Sequence, residues 1–260
     1  MPSVFNRRPR LALKTPAQIE RMRAAGAVVG AALERMTEAV APGVSTRDLD
    51  ELAAQVIREA GAKPSFLGYH GYPATICASV NDEIVHGIPG HRVLHEGDLV
   101  SLDCGAIVDG WHGDAAVTVA VGDVTAAERA LIAVTQESLR RGIAAFADGA
   151  HLSDIGHAIE SYVRAEGPYG LVEEYTGHGI GTEMHQDPHV PNYGEPGHGP
   201  ILRPGVVLAI EPMVTIGSAE TRELDDGWTV VTADGSKAAH FEHTIALTDA
   251  GPEILTVRRR

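Results

Sequence analysis

Apolar residues recur every three or four positions early in the chain, at Ile19, Met22, Gly26, Val29, Leu33, Met36 and Val40. That spacing puts them on one face of a helix. Thr15, Pro16 and Gln18 mark its start: a capping hydroxyl, a proline where the missing N–H costs nothing, and a glutamine that reaches back. Pro42-Gly43 ends it. Ser45 and Asp48 open a second helix, with Leu49, Leu52 and Val56 facing inward and Gly61 as the stop. The cap pair Thr125 and Glu128 starts another, running to about residue 146. Elsewhere the period shortens to two. A turn-rich aromatic passage over 66–73 leads into a short strand over 75–80. Residues 99–108 and 111–121 then read as a hairpin across Asp109-Gly110, a strong two-residue turn. Three further β-segments are expected over 206–216, 228–233 and 238–247, with turns at Asp226-Gly227 and Asp234-Gly235.

One stretch echoes another. Residues 41–61 align without gaps with 147–167, sharing five of twenty-one positions, and each copy follows a long helix and precedes an aromatic turn and hairpins. The chain therefore reads as one domain of two equivalent halves, about 15–121 and 122–250, after an N-terminal tail over 1–14. Each half has a helix pair and antiparallel strands.

Composition narrows the setting. With 260 residues and 44% hydrophobic positions the chain has material for a sizeable core. A formal net charge of -14 disfavours nucleic acid or an anionic membrane as a partner. The basic runs Arg7-Arg8-Pro9-Arg10 and Arg258-Arg259-Arg260 read as solvated ends. Two cysteines, Cys77 and Cys104, suit a reducing compartment, and no apolar run reaches membrane-spanning length, so a cytoplasmic protein is expected.

The candidate chemistry lies in the strands. If Val108 pairs with Trp111, Gly105 lies opposite Asp114, and Asp103 shares its face as a diagonal neighbour about 7 Å away. Two such carboxylates either sit on a solvated edge or share a cation, because burying them together unpaired is costly. Glu211 and Glu242 are embedded in apolar runs, where an acid needs a partner. His178 stands between Gly177 and Gly179. Four carboxylates and one imidazole suit a pair of divalent ions such as Mn, Fe or Co better than a structural zinc site.

Five stretches in order carry a family resemblance: Asn81 through Pro89, Asp103 through Asp114, Thr176 through His185, Glu211-Pro212-Met213 and Phe241-Glu242-His243-Thr244. Together they resemble the type I methionine aminopeptidases over about residues 13–250. The resemblance implies an α+β pita-bread fold, two pseudosymmetric halves whose central antiparallel β-sheet is covered by helices. It implies removal of the initiator methionine from nascent polypeptide N-termini when the second residue is small, by attack of a metal-bridging water. Two divalent ions, Mn, Fe or Co with Zn also compatible, are implied: Asp103 chelates one, His178 and Glu211 hold the other, and Asp114 and Glu242 bridge both. Glu211 also relays a proton. His185 stabilises the tetrahedral intermediate, and His86 stands near the scissile nitrogen. Tyr69, Tyr72, Cys77, Met184 and Trp228 match the methionine pocket. A monovalent cation near Asn81 and Glu83, transient ribosome association and a monomeric state complete the expectation.

Some positions depart from the family pattern. Met184 stands where an aromatic residue is common, Gln186 where Glu is usual, Thr182 where Arg is usual, and Ala115-Ala116 where hydroxyl residues often occur. None removes a ligand; they bear on pocket shape and rate. Two other readings share the fold, a proline-directed peptidase and a binding protein without catalysis. The short lead before residue 15 fits the first poorly, and the intact ligand set fits the second poorly.

Overall fold

In the computed structural model, which describes residues 11–257, the capping signals act where they stand. Helix α1 spans Pro16–Ala39, α2 Thr46–Glu59, α3 Ala126–Ala145 and α4 Leu152–Glu166. Thr15, Ser45 and Thr125 each accept a hydrogen bond from the backbone N–H three residues on, with Gln18, Asp48 and Glu128 completing the capping boxes. The two arginine-rich ends lie outside the described residues.

The face of α1 that the periodicity marks is buried, from Ile19 to Met36. Gly26 in mid-helix costs helix propensity, yet a Cβ there would sit 2.3 Å from the Leu255 carbonyl oxygen, so only glycine lets that segment close on the helix. In α2 the buried face is Leu49, Ala53 and Ile57, whereas Leu52 and Val56 are half-buried. The stripe is rotated by one residue from the expected one, because Ala53 is small enough to sit at the closest approach.

The long hairpin forms in the expected register: Val108 opposite Trp111, Gly105 opposite Asp114, Asp103 opposite Ala116. It is the first-half side of a nine-stranded antiparallel sheet. Beyond the hairpin strand Trp111–Ala120 the order continues through Glu242–Thr248, Val207–Ile210, Gly177–Gly179 and Gln186–Val190. Within this sheet the halves join through two residue pairs, Glu242 with Ala116 and His243 with Ala115. The Thr244 hydroxyl spans the same seam, accepting from Asp114 N at 2.9 Å and donating to its carbonyl at 2.8 Å. The α1 helix packs on the hairpin, α2 beside α1, and α4 against α3. This makes an α+β architecture with helices covering an antiparallel sheet.

The two halves repeat the same backbone bonds. Gly43 N donates to the Leu94 carbonyl at 2.8 Å and Gly149 N to the Leu202 carbonyl at 3.0 Å. Thr46 N donates to the Arg92 carbonyl at 2.9 Å and Leu152 N to the Pro200 carbonyl at 3.0 Å.

The C-terminal β-segments differ from the expectation. The run over 206–216 is two strands, Val207–Ile210 and Met213–Thr215, and that over 238–247 is also two, Ala238–His240 and Glu242–Thr248. Val207–Ile210 and Glu242–Thr248 belong to the large sheet, whereas Met213–Thr215 and Ala238–His240 form a three-stranded sheet with Gly170–Leu171. The breaks fall at Glu211-Pro212 and Phe241. Proline has no N–H for a ladder, so the chain turns there and both acids stand at the corner between sheets. No helix of the described residues is long and apolar enough to cross a membrane.

Candidate metal centre and active site

Sheet register alone brings the acids together. Asp103 pairs with Ala116, and Ala116 with Glu242. His243 pairs with Ile210, so Glu211, one residue past Ile210, stands beside Glu242. Two residues along, Thr244 pairs with Ala209, and Ala209 with His178. Since residues two apart on a strand share a face, all five side chains project from one side of the sheet. Asp103 and Asp114 come from the first half, His178, Glu211 and Glu242 from the second.

The glycines around His178 let the strands close on it. A Cβ on Gly177 would lie 2.4 Å from the Ala209 carbonyl oxygen, and one on Gly179 2.2 Å from that of Asp187. Gly177→Ala is therefore expected to cost about 1–3 kcal/mol of stability by overpacking. A chemical denaturation curve checks this, and an unchanged midpoint would contradict it.

The resulting cluster is buried and crowded. Asp114 and Glu242 are 3% and 1% exposed, and His178 Nε2 lies 3.6 Å from Glu211 Oε1 and 3.9 Å from Asp114 Oδ2. Burial pushes the Asp103 carboxyl up to about 7, with Glu211 nearby adding to the rise. Burial also raises Glu211 to about 8. Asp114 and Glu242 are pushed well above the carboxylate range by burial and by the neighbouring carboxylates. His178 goes the other way, down to about 3, as burial and then His185 disfavour its cation. Asp103 Oδ1, Asp114 Oδ1 and Glu242 Oε1 are buried without a hydrogen-bond partner. Buried, mutually repelling and unpartnered carboxylates are costly unless a cation joins them. Asp114, His178 and Glu242 offer donor atoms within 4.8 Å of one another, as do Glu211, His240 and Glu242. Hard oxygen donors with one or two imidazoles fit divalent first-row ions.

These shifts fix how the metal-stripped protein responds to pH. Carboxylates raised by folding contribute stability below their ordinary range that is lost as pH rises toward 8. His178 and His86, lowered to about 3 and about 4, contribute stability above their ordinary value near 6.5 that is lost as pH falls. The stripped protein should therefore melt several degrees lower at pH 8.5 than at pH 6, with divalent ion removing most of the alkaline loss. Melting scans with and without chelator check this; an alkaline arm unaffected by metal would contradict it.

Beside the acids lies an apolar hollow, and the two form one cavity of about 150 Å³. Tyr69, Tyr72, Cys77, His86, Met184, His185 and Trp228 all line it with the five metal candidates. Tyr72 packs edge-on to Trp228 at 5.0 Å between ring centroids, while its one hydroxyl hydrogen is shared between the Ile76 and Gly87 carbonyls, each 3.0 Å away. Its phenol is thus committed to holding the wall. His86 adopts a left-handed backbone, φ 61°, uncommon for a residue with a Cβ and typical of strained functional positions. Burial, then His240 and His185, lower His86. His185 stands at the rim, its Nδ1 2.7 Å from the Tyr69 hydroxyl. A phenol donating to Nδ1 leaves the ring proton on Nε2, free to donate to a substrate oxygen.

Two lining or neighbouring residues were not expected. Phe66 adds to the apolar wall. His240 is 1% exposed, with Nε2 3.5 Å from Glu211 Oε2. Its position two residues before Glu242 was the available signal. Of the departures, Gln186 accepts from Lys14 Nζ at 3.3 Å; among the described residues no carboxylate pairs with this ammonium, which burial lowers to about 8.

Comparison with known proteins agrees with this geometry. Residues 20–249 match Metallopeptidase family M24. The chain is 58% identical to methionine aminopeptidase 1 of Mycobacterium tuberculosis over 94% of each chain. It is 51% identical to methionine aminopeptidase 1 of Bacillus subtilis, over 94% of this chain and 98% of that one. The crystal structure of methionine aminopeptidase from Thermotoga maritima superposes with a TM-score of 0.94 at 44% identity, covering 95% of this chain and all of the other. Prolidase from Pyrococcus furiosus, 21% identical with a TM-score of 0.77, shares the pita-bread fold. The chain belongs to metallopeptidase family M24, among its methionine aminopeptidases.

Proposed function

We propose that the chain removes the N-terminal methionine from new polypeptides whose second residue is small. The observation that carries this reading is the single cavity in which an apolar wall of Tyr72, Cys77, Met184 and Trp228 meets four carboxylates, Asp114 and Glu242 buried and Asp103 and Glu211 half-buried. A thioether suits aromatic and sulfur neighbours. The domain is read as one catalytic unit with halves over about 15–121 and 122–250.

In this reading Asp103 would help hold one divalent ion, His178 and Glu211 a second, and Asp114 and Glu242 would serve both. Mn, Fe and Co fit the donors, and Zn is also compatible. When bound, the ion pair supplies an acidified water and an electrophile for the peptide carbonyl. Glu211, which lines the cavity beside the other acids, is suited to take a proton from the attacking water and pass it on. His185 donates from Nε2 to the carbonyl oxygen as charge develops there. His86 is assigned to the scissile nitrogen, which it helps position or protonates as the leaving amine. Tyr69 carries both wall and His185 orientation.

The same reading puts a monovalent cation at the Asn81–Glu83 turn, where Asn81 is held at φ 62° and its side chain bonds Asp98 and Leu99 N. It includes a cytoplasmic monomer with transient ribosome contact and no nucleic acid or membrane partner, in keeping with the net charge of -14 and two free buried cysteines.

A peptide panel tests it. Protein loaded with Mn, Co or Fe should release methionine from Met-Ala and Met-Gly peptides at least about 100-fold faster than from Met-Lys, which is about 2.7 kcal/mol or more of transition-state discrimination. Equal turnover of Xaa-Pro peptides would overturn the substrate assignment.

A further inference from the structure

His240 has no role in the proposed reaction, yet its surroundings give it one. It ends the strand Ala238–His240 opposite Met213, one residue before the chain crosses into the large sheet. Its backbone is clamped from the first half: His240 N donates to Thr118 Oγ1 at 2.8 Å, and that hydroxyl donates back to the His240 carbonyl at 3.0 Å. Ser101 Oγ, 2.8 Å from Thr118 Oγ1, steadies the clamp. The imidazole is thus carried inward on a fixed backbone, and its buried Nε2 has no hydrogen-bond partner.

The nearest acid is Glu211, and its two oxygens face different imidazoles. Oε1 lies 3.6 Å from His178 Nε2, and Oε2 lies 3.5 Å from His240 Nε2. The Glu211 main chain is held separately, its carbonyl accepting from Asn192 Nδ2 at 3.1 Å. What remains free is rotation of the carboxylate, and a buried N–H beside Oε2 stops that rotation while gaining the acceptor it lacks. We propose that His240 is a positioning residue of the metal centre: its Nε2–H holds Glu211 Oε2, so that Oε1 is presented to the ion shared with His178. Partners that orient a ligand in this way tune the affinity of the ion it binds. The inference rests on the reading of Glu211 as a ligand. His240 also lies within 4.8 Å of a Glu242 donor, so direct ligation is the competing role. It stands on the Oε2 side, away from the oxygen that faces His178, which favours the donor role.

The test uses the full chain, stripped with chelator and titrated calorimetrically with Mn(II). His240→Met fills the space without a donor, whereas His240→Gln places an amide N–H near Nε2. His240→Met should weaken the tighter Mn(II) site by about 10–100-fold, and His240→Gln should stay within about threefold of the parent. Both should still bind two ions per chain. If His240→Met folds poorly, His240→Asn, polar but too short to reach Oε2, takes its place with the same expectation. Parent-like affinity in the donorless variant, or equal weakening in His240→Gln, overturns the positioning role. Loss of one ion in both variants makes His240 a ligand and overturns it too. A parent that binds no Mn(II) overturns the metal reading itself and the inference with it.

Discussion

Asp114→Asn should strip the centre of metal while leaving the metal-free fold at least as stable as before. Asp114 lies at the seam between halves, its carboxylate flanked by Asp103, Glu242 and Glu211, and burial with that company pushes its proton affinity well up. An amide keeps the shape and cannot ionise, so it spares the crowd the charge that the carboxyl would gain as pH rises. The metal-free protein should therefore melt no lower than the parent above pH 7. Stabilisation by added Mn(II) grows with RT ln(1 + [L]/Kd), so it should largely vanish. Losing an outer-shell partner costs about 10–100-fold in affinity or activity, so losing a bridging carboxylate should cost at least about 100-fold. Metal analysis with paired melting curves reads both effects. Unchanged metal content would contradict the bridging role, and a lower metal-free melting temperature would contradict the electrostatic account of the cluster.

His185→Ala should do the reverse, sparing metal and removing turnover. His185 stands at the rim with Nδ1 2.7 Å from the Tyr69 hydroxyl, and its ring is 4.3 Å from that of His178 between centroids. It neighbours His178 without belonging to either three-residue group that could hold an ion. Removing one oxyanion donor costs about 100–1,000-fold in kcat. The variant should show that loss with KM for a Met-Ala peptide little changed and the parent's metal stoichiometry. Tyr69→Phe should show a smaller kcat loss of the same kind, because the phenol acts only through the ring. Metal loss in His185→Ala would mean that the residue is a ligand and has been misplaced.

How much of the fold and site is legible in the sequence follows from how local each feature is. Helix starts are set within four residues, and the three capping boxes stand where Thr15, Ser45 and Thr125 pointed. The hairpin register is set by its two-residue turn, so the relation between Asp103 and Asp114 follows from the residue order alone. Pro212 was the local signal for the break at Glu211-Pro212, since a proline cannot donate to a ladder. The break at Phe241 was not legible, because no turn residue marks it and the segment serves two sheets, a tertiary demand. His240 escaped for the same reason. A single histidine in a β-run reads as structural, and the clamp that aims it comes from Thr118, 122 residues away. The pocket residues needed the family resemblance, since Tyr69 and Trp228 have no spacing that separates a pocket wall from a core.

The central claim is that side chains from both halves converge to hold two divalent ions. Anomalous diffraction from crystals grown with Mn(II) tests it most directly. Two peaks are expected about 3.5–4 Å apart, both within ligand distance of Asp114 and Glu242, with Asp103 on one and His178 and Glu211 on the other. Manganese located elsewhere, or a centre without anomalous signal at saturating Mn(II), would contradict it.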